Sequence, residues 1–125
     1  MDMKLELIPL PVTDVDRSKA FYVDAVGFGL DHDVEPGNGM RIVQLTPPGS
    51  ACSIAFGVGM TRRDAAPVHG IHLVVDDIAA VRETLRSRGV DVGEIRDLGG
   101  VAYATFSDPD GNTWELQSLR GLNAR

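Results

Sequence analysis

Apolar and polar positions fall into the same order twice along the chain. Leu5–Val12 is an apolar run that reads as a buried strand, and Asp14 is placed to cap the helix that follows. That helix is predicted to run to about Ala25, with Val15, Tyr22 and Val26 on one stripe and Gly27 as its stop. Short strands are predicted at about 29–34, 40–46 and 51–57, separated by the turn-rich Glu35–Gly39 and Thr46–Ser50. Residues 58–68 carry no periodicity and read as a linker. Ile71–Val75 is then a second apolar strand, and Ile78, Val81 and Leu85 form a helix stripe that Gly89 ends. Strands near 90–97, 101–106 and 112–118 follow, the last two joined by a tight turn through Asp108-Pro109-Asp110-Gly111.

Each half is therefore β-α-β-β-β, an α+β arrangement with an offset of about 62 residues between equivalent positions, too long for a solenoid. Module one spans about 4–57 and module two about 69–118, together one domain; residues 120–125 have no pattern and are expected to be a loose tail. Two such units facing each other would make a cleft, where function is expected.

A net charge of −6 argues against a nucleic-acid partner, because phosphate binding needs a basic face. The single cysteine, Cys52, excludes an internal disulfide and suits a reducing compartment. No apolar run approaches membrane-spanning length, and the N-terminus lacks a signal peptide's pattern, so a cytoplasmic protein is expected.

Three blocks carry a family resemblance. They are Val12-Thr13-Asp14 leading to Phe21-Tyr22 and Gly27-Phe28, then His72 to Asp77, and finally Ser107 to Leu116 with its Trp114-Glu115-Leu116 ending. With these the chain resembles the vicinal oxygen chelate superfamily, also called the glyoxalase / bleomycin-resistance / dioxygenase superfamily. The resemblance implies curved mixed sheets around a cavity, helices outside, and a homodimer. It also implies a possible metal, held by one His, Glu or Gln from the first and last strands of each module. The fold hosts several chemistries and some plain binders, so it does not name a reaction.

Strand alternation sorts the side chains into two faces. Ile8, Leu10, Val12, Ile71, Leu73, Val75, Trp114 and Leu116 should pack under helices. Leu7, Pro9, Pro11, Gly70, His72, Val74, Thr113, Glu115 and Gln117 should face the cavity, and the internal repeat matches Ser53 to Glu115. The positions matching the family's metal ligands are then Leu7, Ser53, Gly70 and Glu115, of which only Glu115 is a good donor. A one-residue slip would offer His69 instead of Gly70. No cofactor is expected; if a metal binds, Glu115 and His72 would hold it.

His72 lies one pleat from Gly70, roughly 6–7 Å along the same face. It is a candidate acid/base partner of Glu115, a relocated ligand, or a polar wall group. Tyr103 and Phe106 have opposite parity, so one of them is expected to face the cavity and stack on a ligand. Cys52 is expected to be buried and inert, His32 a surface group, His69 a loop or capping group, and Phe21 and Tyr22 packing residues. The favoured function is binding of a small organic ligand through Leu7, Pro9, Ser53, Gly70, Val74, Tyr103 and Gln117, with metal-free catalysis by His72 and Glu115 left open. The alternatives are a metal-dependent lyase, isomerase or dioxygenase, and an interaction subunit.

Overall fold

A computed structural model describes residues 1–119. The expected loose tail lies outside the described residues. The chain divides into two compact units, the first ending at Pro67 and the second beginning at Val68.

The first unit contains β1 (Leu7–Pro9), α1 (Val15–Ala20), a π-helical continuation (Phe21–Val26), β2 (Gly29–Gly37), β3 (Met40–Thr46) and β4 (Ser53–Val58). Its sheet order is β1-β4-β3-β2, with β1 parallel to β4 and the other pairs antiparallel. The second unit contains β5 (Ile71–Val74), α2 (Ile78–Ser87), β6 (Arg96–Leu98), β7 (Val101–Ser107) and β8 (Thr113–Ser118), ordered β5-β8-β7-β6 with the same directions. The duplicated pattern is thus two copies of one βαβββ unit. No helix among the described residues is long and apolar enough to cross a membrane.

The helix signals act as read. Asp14 accepts from the Arg17 amide and Asp77, its counterpart, from the Ala80 amide. Gly27 and Gly89 end the helices at φ 95° and 89°, a region that costs a Cβ-bearing residue. The Gly27 amide reaches Tyr22 O, five residues back, so the first helix widens into a π-turn before it ends.

Three boundaries differ from the expectation. β1 is limited to Leu7–Pro9, flanked by bonds from the Ser53 amide to Glu6 O and from the Leu10 amide to Ala55 O; Pro9 and Pro11 take the edge positions where no N–H to β4 is needed. β2 runs on to Gly37, so the predicted five-residue turn shrinks to Asn38-Gly39, both at positive φ as a two-residue hairpin requires. The strand expected at 90–97 is only Arg96–Leu98; Val90 and Val92 instead pass through the core, where packing holds them without a ladder.

The core of the first unit centres on fully buried Tyr22, which stacks on Phe28 at 5.5 Å and meets Phe56 at 5.8 Å. In the second, Trp114 and Phe106 stack nearly parallel at 6.1 Å, above buried Ile78, Leu85 and Leu116. Such aromatic pairs add about 0.5–1.5 kcal/mol beyond their buried area. Alternation along β8 is strict: Trp114, Leu116 and Ser118 are buried, while Thr113, Glu115 and Gln117 are half-buried on the other face.

The Asp108–Gly111 turn is built by side chains. The Asp108 carboxylate accepts from the Asp110 and Asn112 amides and from Asn112 Nδ2. Fully buried Asn112 in turn accepts from the Val68 amide at 2.8 Å. The turn is therefore what fastens the start of the second unit to its last hairpin.

Candidate functional site

The sheet of the second unit covers one face with α2 and leaves the other open. On the open face β5, β8, β7 and β6 lie side by side, and their registers set out two rows. His72, Glu115 and Thr105 form one; Val74, Gln117, Tyr103 and Arg96 form the other.

The second row is aromatic and amide-bearing. His72 Nδ1 lies 2.6 Å from Gln117 Oε1. An amide oxygen only accepts, so Nδ1 carries the proton, and in the neutral ring Nε2 is left as an acceptor. The His72 ring meets Tyr103 edge-on at 6.0 Å, and the Arg96 guanidinium lies over the Tyr103 ring at 5.9 Å. Val74 and Leu98 bring exposed apolar side chains to this face, at 62% and 59% exposure.

Glu115 and Thr105 of the first row are closed by Arg96 of the second. Arg96 Nη2 donates to Glu115 Oε1 at 2.8 Å and to Thr105 Oγ1 at 3.2 Å. The Thr105 hydroxyl donates to Glu115 Oε2 at 2.7 Å. Both oxygens of the carboxylate are therefore engaged, one by a full positive charge. Glu115 does not face His72 as a free base; each is bonded to a different neighbour.

The sequence does not single out Arg96 or Thr105. Thr105 shares the parity of Tyr103 and so had a signal. Arg96 had none, because the start of β6 is not legible from apolar periodicity.

Gly70, matched to one of the family's ligand positions, does not stand beside Glu115. It precedes β5 at φ 78° and its amide bonds to the Thr113 carbonyl and hydroxyl, while the residue beside Glu115 is His72. His69 is exposed, with Nδ1 3.4 Å from Thr113 Oγ1.

In the first unit Leu7 pairs with Ser53 and Pro9 with Ala55. Ser53 is buried and bonded to Thr46 Oγ1 at 2.7 Å; Thr46 in turn donates to the exposed Asp31. That hydroxyl is thus committed within its own sheet, and Leu7 beside it is half-buried. Cys52 is half-buried rather than fully buried, its thiol 3.6 Å from Ser53 O. His32 is exposed, and Phe106 is buried, so Tyr103 is the aromatic of β7 that takes the open face.

The metal expected of the fold family finds no fitting donor set. Leu7 and Gly70 offer no donor side chain, Ser53 is a neutral hydroxyl already bonded, and Glu115 is neutralised by Arg96. A guanidinium 2.8 Å from the carboxylate and a divalent cation on that same oxygen repel one another. Among the described residues no three His, Cys, Asp or Glu side chains come together as a metal site.

The strongest polar network elsewhere is structural. Asp33 on β2 accepts from Arg41 on β3 through two bonds of 3.0 and 2.9 Å and from Lys19 on α1 at 2.8 Å. Hydrogen bonds from Arg41, then from Lys19, hold its carboxyl well below the usual carboxylate range, and Asp33 and Asp16 raise the Arg41 value. The network ties the helix to the sheet in the first unit.

Comparisons with known proteins agree with the fold. A family model described as Glyoxalase/Bleomycin resistance protein/Dioxygenase superfamily matches residues 4–116. The structure of TnmS3, described as an antibiotic binding protein from Streptomyces sp. CB03234, is similar at a TM-score of 0.83 and 34% identity, covering 94% of this chain and 96% of that one. A glyoxalase/bleomycin resistance protein from the same strain is 35% identical over 90% of this chain and 98% of its own, with a TM-score of 0.77. A Bacillus subtilis (strain 168) protein, YetH, described as uncharacterized, is 23% identical over 94% of this chain and 99% of its own length. The chain belongs to the glyoxalase/bleomycin resistance protein/dioxygenase superfamily.

Proposed function

We propose that this protein binds a small organic ligand of the antibiotic kind without a metal, using the open face of the β5-β8-β7-β6 sheet. The observation that carries the reading is the engagement of both Glu115 oxygens by Arg96 and Thr105. It counts against metal ligation and proton transfer by the carboxylate, and leaves groups suited to recognition. Those groups are the Tyr103 ring, the Gln117 amide, the His72 Nε2 acceptor, and apolar Val74 and Leu98. The likeness to an antibiotic binding protein at 34% identity supports the same reading. Leu7, Pro9 and Ser53 stay in the proposal only as small or apolar groups of the first unit's own sheet. Gly70 enters it only as backbone, since its amide is bonded to Thr113.

The reading includes homodimerisation. Large apolar side chains stand exposed on the first unit, among them Leu30, Val34 and Val58, and such surface is commonly covered by a partner. Any acid/base chemistry on the second unit's open face would rest on His72 rather than on a His72–Glu115 pair.

The test is a panel of antibiotics and related natural products screened by thermal shift and isothermal titration, with Tyr103→Ala as the site control. Each hit is then incubated with protein and recovered for mass spectrometry. Saturable binding that Tyr103→Ala weakens, with the compound recovered intact, is the expected result. A compound recovered chemically altered, with turnover lost in His72→Ala, would make the protein an enzyme.

A further inference from the structure

The open face of the second sheet carries one acidic and one basic side chain, Glu115 and Arg96, and they are paired. The other titratable groups facing them are His72 from β5 and Tyr103 from β7. Glu115 is the more covered partner, with 22% of its side chain exposed against 48% for Arg96. A ligand arriving on the face therefore meets a guanidinium whose charge is already balanced, not a carboxylate.

The geometry also shows that Arg96 does more than balance charge. Its Nη2 bridges Glu115 and Thr105 while its plane lies over Tyr103, so one side chain fixes the carboxylate, the hydroxyl and the aromatic ring together. A cation placed on Tyr103 would find no free carboxylate to pair with, because Arg96 already holds Glu115. An anion would gain little, because the positive charge is spent on Glu115.

We propose that Arg96 is the specificity-determining residue of this face, and that by pairing with Glu115 it selects an uncharged aromatic ligand over a cationic or anionic one. The ring of that ligand packs on Tyr103 and the apolar rim of Val74 and Leu98. A hydroxyl or N–H on it donates to His72 Nε2, and a carbonyl accepts from the Gln117 amide. This inference rests on the binding function proposed above.

The test uses three probes with one ring system and different charge: naphthol, naphthoate and naphthylmethylammonium. Affinities are measured by titration, and amide NMR spectra locate each probe on the sheet. Wild-type protein should bind naphthol most tightly. Arg96→Gln should raise the affinity for naphthylmethylammonium relative to naphthol by about tenfold, since it bares the Glu115 carboxylate to a cation. The double variant Arg96→Gln/Glu115→Gln should abolish that gain. It keeps hydrogen-bonding side chains at both positions and so controls for simple misfolding. Wild-type preference for either charged probe, or an unchanged ammonium affinity relative to naphthol in Arg96→Gln, would overturn the inference while leaving the binding function standing. No perturbation of the β5–β8 face by any probe would overturn both.

Discussion

The guanidinium of Arg96 on β6 reaches across β7 to stand 2.8 Å from the carboxylate of Glu115 on β8. Thr105, on the intervening strand, closes the arrangement by donating to the other carboxylate oxygen. The acidic residue that a reader of the sequence would assign to metal or proton chemistry is thereby turned into half of an internal ion pair. Its consequences are measurable.

Glu115→Gln and Arg96→Gln should each lower stability by only about 0.5–1 kcal/mol, because Arg96 is half exposed and solvent screens the pair. The double variant should cost about as much as either single one, since each removes the same interaction. Urea denaturation of the four proteins checks this. Strictly additive losses would mean that the two residues act independently.

Metal loading gives a second expectation. Protein made without an affinity tag and dialysed against iron, manganese, nickel, cobalt or zinc should retain well under one equivalent. The donor positions Leu7, Ser53 and Gly70 supply no side-chain ligand of any strength, and Glu115 is held by Arg96. Stoichiometric metal that is lost in Glu115→Ala or His72→Ala would refute the metal-free reading.

The Asp33 network should make the first unit acid-sensitive. Folding lowers the Asp33 carboxyl pKa, through Arg41 first and Lys19 second. The sign follows: the stabilisation is fully present above the unfolded-chain value of about 4 and is lost as pH falls toward the lower folded value. Asp33→Asn should therefore cost about 1–2 kcal/mol at neutral pH, and the gap to wild type should narrow below about pH 4. Thermal melts from pH 7 to acid measure it; a gap that widens on acidification would contradict the assignment.

Asn112 is the other sensitive position. Replacing it by Ala leaves the half-buried Val68 amide without its 2.8 Å acceptor and removes a buried donor to the Asp108 carboxylate. A loss of about 2–3 kcal/mol is expected, with faster hydrogen exchange at Val68. Unchanged exchange there would show that the turn does not fasten the start of the second unit.

Periodicity alone determined much of this protein. The two βαβββ units, the caps at Asp14, Gly27 and Gly89, and the division of β8 into buried Trp114 and Leu116 and open-face Glu115 and Gln117 all follow from local rules. A strand must alternate, and a helix end must satisfy its own backbone, whatever lies around it. The Asn38-Gly39 hairpin was also written in the sequence, although the Glu35–Gly37 stretch read as part of the turn. What local rules do not contain is register. Which residue stands beside Glu115 depends on how β5, β7 and β6 slide against β8, and that is decided by packing of the whole sheet on Trp114, Phe106 and α2. A shift of two residues leaves the apolar pattern intact and replaces His72 by Gly70 at that place. The Arg96–Glu115 pair is less legible still, since it joins strands 19 residues apart through a side chain that no periodicity marks. Only the folded sheet brings the two charges together, and with them the conclusion that Glu115 is already answered for.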